Sequence, residues 1–242
     1  MVKTIVLAAM FVGGFGAAAQ AQDSTVFKFD NLSRIGGLTP KVEGKPQLVD
    51  SPLGKAMAFN GKDTVLTFSE RPLVGAKAFS EEVIIHPDGG EDGTSQRVTH
   101  IAETDPATGL DARPDYTGHN DPNPRIMTEL HVTKGQWYLH VYMRSKSGPQ
   151  VLQFAQKLHP FGAWYALAMT YDGKTFRSYV NGVQEGQADV AWTPQQGPGR
   201  MAVGTRMDHT TYLKGSYFKG TLAEARFSTR ALSPSELLKA PQ

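Results

Sequence analysis

The sequence predicts an all-β protein, an antiparallel β-sandwich, on two observations. First, short runs rich in Val, Ile, Thr, Phe, Tyr and Trp recur along the chain, separated by Gly, Pro, Asp and Asn. That is the pattern of many short strands joined by turns. Second, the stretch FGAWYALAMTYDGKTFRSYVNG, residues 161–182, carries Asp172-Gly173 between two apolar runs and ends on Asn181-Gly182. Asp-Gly and Asn-Gly are strong hairpin signals because glycine accepts the positive φ of tight turns. A two-residue loop at Asp172-Gly173 pairs Thr170 with Thr175, Met169 with Phe176 and Tyr165 with Val180, and gives these strands one buried face.

The first 21 residues read as a secretory signal peptide. Lys3 is the charged start, Ile5 to Ala18 is a short apolar run, and Ala19-Gln20-Ala21 is an A-x-A cleavage site. The run is too short and Gly-rich for a membrane span, which needs about 18 strongly apolar residues. Cleavage leaves residues 22–242 as a single domain. The formal charge of +2 then becomes +1, because Lys3 is the only charge removed. This balance gives no electrostatic case for nucleic acid or an anionic membrane surface. With no cysteine, the chain has no disulfides, no thiolate zinc site and no cysteine nucleophile. The expected location is secreted or periplasmic.

The predicted strands are Val26–Phe29, Ala56–Phe59, Thr64–Phe68, Glu82–His86, Gln96–Ala102, Arg125–His131, Trp137–Arg144, Val151–Phe154, Trp164–Tyr171, Thr175–Val180, Arg200–Thr205 and Gly220–Ser228. Near the end, Ser233-Pro234-Ser235-Glu236 reads as the capped start of a short C-terminal helix. Asp88–Ser95 and Glu103–Pro124 are loops. The second is long for a compact domain, a length that goes with functional or mobile segments. His86, His119, His159 and His209 sit beside turn-forming residues and read as loop histidines.

The order FNGKDTVLTF, WYALAMTYDGKTFRSYVNGV, a Gly-rich strand and YFKGTLAEARFSTRALSPSEL resembles the concanavalin A-like (laminin G-like) superfamily of jelly-roll domains, from Ser51 to Leu238. The resemblance implies a jelly roll with one concave sheet that carries sugar-binding or catalytic side chains. It does not choose a function, because such folds host lectins, binding modules, adhesion domains, glycosidases and lyases. Members often hold a structural calcium through an Asp before the Glu of the last strand. Here Ala223 precedes Glu224, which leaves Glu224 or Asp30 as the hard oxygen donors.

A second hairpin, RIMTELHVTKGQWYLHVYMR, carries the candidate chemistry. A Lys134-Gly135 loop pairs Val132 with Trp137, Leu130 with Leu139, Thr128 with Val141 and Ile126 with Met143, an almost wholly apolar face. The other face pairs His131 with Tyr138, Glu129 with His140, Met127 with Tyr142 and Arg125 with Arg144. A one-residue slip would scramble the buried set. The polar face is unusually rich for a plain solvent face. Tyr and His offer flat surfaces to sugar C–H groups, and Arg offers a rigid donor fork for hydroxyls or carboxylates. Arg125, His131, Tyr142 and Arg144, with Gln96 and His100 from the preceding strand, are the candidate binding residues.

The expected function is recognition of a polysaccharide or other glycan on this face. The alternative is a polysaccharide-degrading enzyme, lyase or hydrolase, in which Glu129, His140 and Tyr138 would be catalytic. A glycosidase needs two flanking carboxylates, and the hairpin supplies Glu129 alone, leaving Glu103 as its partner. A lyase needs a Tyr or His acid and base with Arg or Gln on a uronate. A further alternative is an adhesion or assembly domain without sugar chemistry. Glu129, His131 and His140 suit zinc in residue type, without a diagnostic spacing.

Overall fold

The computed structural model describes residues 23–104, 124–145, 148–207 and 216–242. The signal segment 1–21, most of the loop Glu103–Pro124, His119 and His209 lie outside the described residues. Fifteen strands are present: β1 (Ser24–Lys28), β2 (Lys41–Glu43), β3 (Gln47–Ser51), β4 (Gly54–Asn60), β5 (Val65–Phe68), β6 (Phe79–Pro87), β7 (Ser95–Glu103), β8 (Arg125–Thr133), β9 (Gln136–Ser145), β10 (Gly148–Gln153), β11 (Tyr165–Tyr171), β12 (Thr175–Val180), β13 (Val183–Asp189), β14 (Gly199–Val203) and β15 (Lys219–Ser228).

They form two sheets. The eight-stranded sheet runs β13-β12-β11-β6-β15-β4-β3, with β1 also on β15, and the seven-stranded sheet runs β10-β9-β8-β7-β14-β5-β2. The inner faces meet in one apolar core. Phe27 packs edge-on against both Phe68 and Phe227, each 5.4 Å away, the geometry that aromatic quadrupoles favour. Trp137 is fully buried and its indole N–H donates to the Pro160 carbonyl at 3.1 Å.

All twelve predicted strands exist. Three edge strands, β2, β3 and β13, were not predicted. Sequences such as KVE and VQEGQAD are largely exposed and carry no apolar alternation.

The Asp172-Gly173 hairpin keeps its predicted face but slips by two residues. Tyr171 pairs with Phe176 and Leu167 with Val180. Asp172 Oδ1 accepts the backbone N–H groups of Lys174 and Thr175 at 2.9 and 2.8 Å, which widens the loop. Asn181-Gly182 forms a two-residue turn with φ of 51° and 78°, and Val180 pairs with Val183 of the strand that follows.

The C-terminal helix is not present. The capping contact forms, with Glu236 Oε2 accepting the Ser233 N–H at 2.8 Å, yet the chain makes a single turn. The next backbone groups are taken by the sheet instead. Arg226 Nη2 donates to the Glu236 carbonyl at 2.7 Å, and the Leu238 N–H donates to Glu82 Oε1 at 2.6 Å. This segment lays Leu232 and Leu237 over Ala168 and Tyr179. It thereby seals part of the outer face of the eight-stranded sheet. His86 lies in β6, not in a loop, with Nδ1 2.7 Å from Asp88.

Candidate functional site

The β8–β9 hairpin adopts the predicted register throughout: Glu129 faces His140, His131 faces Tyr138, Met127 faces Tyr142 and Arg125 faces Arg144. Ile126, Leu130, Trp137, Leu139, Val141 and Met143 enter the core, so strict alternation sends the polar set outward. The turn sits at Lys134 and Gly135, with φ of 53° and 67°. Asp92 fastens it from the Asp88–Ser95 loop by accepting both turn N–H groups, at 2.8 and 3.0 Å.

Glu129 is the centre of the outer face. Its side chain is 2% exposed. Arg97 Nε donates to Oε1 at 3.0 Å, and His140 Nδ1 lies 3.0 Å from Oε2. Burial alone would raise the carboxyl; Arg97, His140 and His131 outweigh it and hold Glu129 down at about 2. The His131 ring stands 5.0 Å from that of His140, and its Nδ1 is 2.7 Å from the Tyr138 hydroxyl. Burial and the neighbouring His140 lower His131, with Glu129 partly offsetting them. Burial raises the Tyr138 phenol. Along β8 and β9 lies a second group. Arg125 and Arg144 each donate to the Tyr142 hydroxyl at 3.4 Å, and the Arg125 guanidinium sits 5.1 Å from the Tyr142 ring centre, within cation–π range.

Two predicted binding residues leave this group. Gln96 points away from it: its amide donates to the Gly89 carbonyl and its oxygen accepts the Lys219 N–H. His100 is on the outer face but fully buried, beside Met127 in register, with Nδ1 accepting the Met207 N–H at 3.3 Å. Glu103, the required partner for a two-carboxylate hydrolase, instead accepts the N–H groups of Gln196 and Gly197 at 2.8 and 2.9 Å. Among the described residues Glu129 is the one carboxylate of the hairpin face.

Arg97 is the residue that sequence reading missed. A register shift between Arg97 and Thr99 turns Arg97 outward beside Glu129 and Thr99 inward, the local effect of a β-bulge. One signal for it exists. Val98 and Ile101 are both fully buried in the core, which strict alternation forbids for residues three apart.

At the last strand, Ala223 stands where members of the family often carry the calcium-binding Asp, and its neighbours are engaged within the protein. The Ala223 carbonyl accepts the Phe29 N–H, Asp30 Oδ1 accepts from Asn31, and Glu224 lies opposite Lys28. No three His, Asp or Glu residues converge as a metal site among the described residues.

Residues 60–238 match the concanavalin A-like lectin/glucanases superfamily. The chain belongs to that superfamily. Domain 4 of AbnA, a GH43 extracellular arabinanase from Geobacillus stearothermophilus solved with arabinotriose, superposes with a TM-score of 0.60 at 20% identity, covering 88% of this chain and 94% of that one. The binding domain of botulinum neurotoxin DC in complex with SialylT gives 0.57 at 9% identity, covering 88% and 49%. The receptor-binding domain of botulinum neurotoxin type G gives 0.55 at 9%, covering 88% and 49%. These likenesses establish the shared jelly-roll fold. A comparison with curated proteins gives no match. No helix among the described residues is long and apolar enough to cross a membrane.

Proposed function

We propose that this chain is an exported carbohydrate-binding domain that recognises a glycan on the outer face of β7, β8 and β9. The observation that carries the reading is the Arg125–Tyr142–Arg144 group beside the Glu129–His140 and His131–Tyr138 pairs. It combines an aromatic face with guanidinium donors, the two features that bind sugar C–H surfaces and hydroxyls. Structural neighbours with the same fold have been solved with oligosaccharides. The signal-like segment at residues 1–21 supports export to a secreted or periplasmic location, with residues 22–242 as the mature single domain.

A glycan array that includes arabino-oligosaccharides, sialylated oligosaccharides and uronic polymers tests the reading. Wild type binds at least one class, and the Tyr142→Ala, Arg125→Ala double variant loses at least tenfold in affinity. Absence of glycan binding by wild type, or equal binding by the variant, refutes the assignment and favours an adhesion role.

The Glu129–His140 contact supports a second reading, a polysaccharide-degrading enzyme. The carboxylate lies 3.0 Å from Nδ1, the arrangement in which an acid orients an imidazole. Incubation with uronic polymers, followed by absorbance of unsaturated products, tests the lyase form. Activity that survives in His140→Ala and Tyr138→Phe removes both residues from the chemistry.

A further inference from the structure

We propose that Glu81 is a proton-controlled stability switch in the core between the two sheets, accommodated while its carboxyl is neutral and destabilising the packed sheets when it ionises. Along β6 the residues Phe79, Val83 and Ile85 join the core, and alternation directs Glu81 there too. It is 1% exposed. The hydroxyls of Thr99 on β7 and Thr128 on β8, both from the opposite sheet, donate to the same oxygen, Oε1; the Thr128 contact is 2.9 Å. Oε2 has no hydrogen-bond partner. A neutral acid buried in this way leaves at most one hydroxyl unsatisfied. An ionised one puts an uncompensated charge into the core, which is far costlier.

No cation faces it among the described residues. In register it lies beside Met169 of β11 and Phe227 of β15. The titratable groups on the inner face of β11, Tyr165 and Tyr171, donate to the carbonyls of Pro160 and Val190. Arg97, His100 and Glu129 stand on the outer faces of β7 and β8, and Glu82 and Arg226 on the outer face of their own sheet. Burial pushes the Glu81 carboxyl up to about 7, against the lowering effect of the two threonine bonds. The folded state therefore holds this proton more tightly than the unfolded chain, where the carboxyl titrates at its ordinary value of about 4.5. The folded-to-unfolded ratio falls as pH rises from about 4.5 to 7, by a factor of roughly 300 for a shift of this size, and then levels off.

The switch lies under the candidate site. Thr128 immediately precedes Glu129, and Thr99 follows the bulge that turns Arg97 outward. Ionisation of Glu81 thus places an uncompensated charge beneath the two strands that hold the Arg97–Glu129 pair and lowers the stability of the packed sheets there. The switch does not depend on what binds there.

A carboxyl carbon-13 titration of the full chain labelled at glutamate tests the switch. One resonance has a midpoint near 7, is absent from Glu81→Gln, and moves higher in Thr128→Val, which removes a bond that stabilises the anion. Urea unfolding from pH 5 to 9 shows wild type losing about 80-fold more in folding equilibrium than Glu81→Gln. A midpoint at or below 4.5, or parallel stability curves for wild type and Glu81→Gln, overturns it. If Glu81→Gln does not fold, the wild-type titration and its shift in Thr128→Val decide alone.

Discussion

The outer faces of the two sheets are each organised by a buried glutamate gripped by an arginine, and they do opposite things with it. On the eight-stranded sheet, Glu82 accepts from both Nε and Nη2 of Arg226, at 2.6 and 2.8 Å, and from the Leu238 N–H. Backbone is its remaining partner, so the pair fastens the C-terminal segment and the face closes. On the seven-stranded sheet, Glu129 accepts from Arg97, and its other oxygen faces the His140 imidazole. A titratable ring takes the place of the backbone N–H, and next to it stand His131, Tyr138 and the Arg125–Tyr142–Arg144 group. An arginine grips each carboxylate, and its second partner, backbone on one sheet and an imidazole on the other, separates a clamped chain segment from a face that gathers polar and aromatic side chains.

The largest expected effect comes from breaking the second pair. Arg97→Met strands the Glu129 charge in a nearly closed environment and should cost about 3–5 kcal/mol, seen as a drop in the urea midpoint. The double variant Arg97→Met, Glu129→Gln should recover much of it. Equal loss in single and double variants would show that Arg97 acts by packing alone. On the other face, Glu82→Ala removes the charged acceptor of Arg226 and Leu238, and about 3 kcal/mol is expected. Protease cleavage near Leu238 should accelerate in that variant and stay unchanged in the Arg97 variant.

An effect of similar size separates the two deeply buried carboxyls by pH. Glu129 is depressed to about 2. Its stabilisation, about 3 kcal/mol from a shift of this size, is fully present above the unfolded value of 4.5 and is lost as pH falls toward 2. Glu81 is raised to about 7 and destabilises increasingly as pH climbs from 4.5 to 7. From these two groups stability peaks near pH 4.5. Urea midpoints across pH 2–9 should show the acid limb vanish in the Arg97→Met, Glu129→Gln double variant and the neutral limb vanish in Glu81→Gln. The smallest change is expected at the turn. Asp92→Ala removes the acceptor of two exposed turn N–H groups and should cost about 1 kcal/mol by urea unfolding, with glycan affinity reduced less than in Tyr142→Ala.

What the sequence discloses follows from which interactions are local. The β8–β9 register was legible because Ile126 to Val132 and Trp137 to Met143 alternate without a break around a two-residue turn. The β11–β12 register slipped by two because the Asp172 side chain captured two backbone N–H groups, a local choice that keeps the buried face. The C-terminal helix failed for a non-local reason: Glu82 and Arg226, distant in sequence, claim the backbone that would have continued it. At the site, Arg125, Glu129, His131, Tyr138, His140, Tyr142 and Arg144 share one face as alternation predicts. Gln96 leaves and Arg97 joins because one bulge reverses the parity of β7 at that end, while His100 keeps the outer face and is sealed beside Met207. Glu81 could not be read as buried from its FSEEV context, since its partners lie on another sheet.

The central claim is that the outer face of β7, β8 and β9 binds a glycan. Titration calorimetry with the best ligand from a glycan array, run in parallel on wild type, Tyr142→Ala and Glu82→Ala, tests it most directly. Tyr142→Ala, still folded at the temperature used, should lose at least tenfold in affinity, while Glu82→Ala, likewise folded, should bind like wild type. Loss of binding in Glu82→Ala with retention in Tyr142→Ala would contradict the claim and move the site to the opposite sheet.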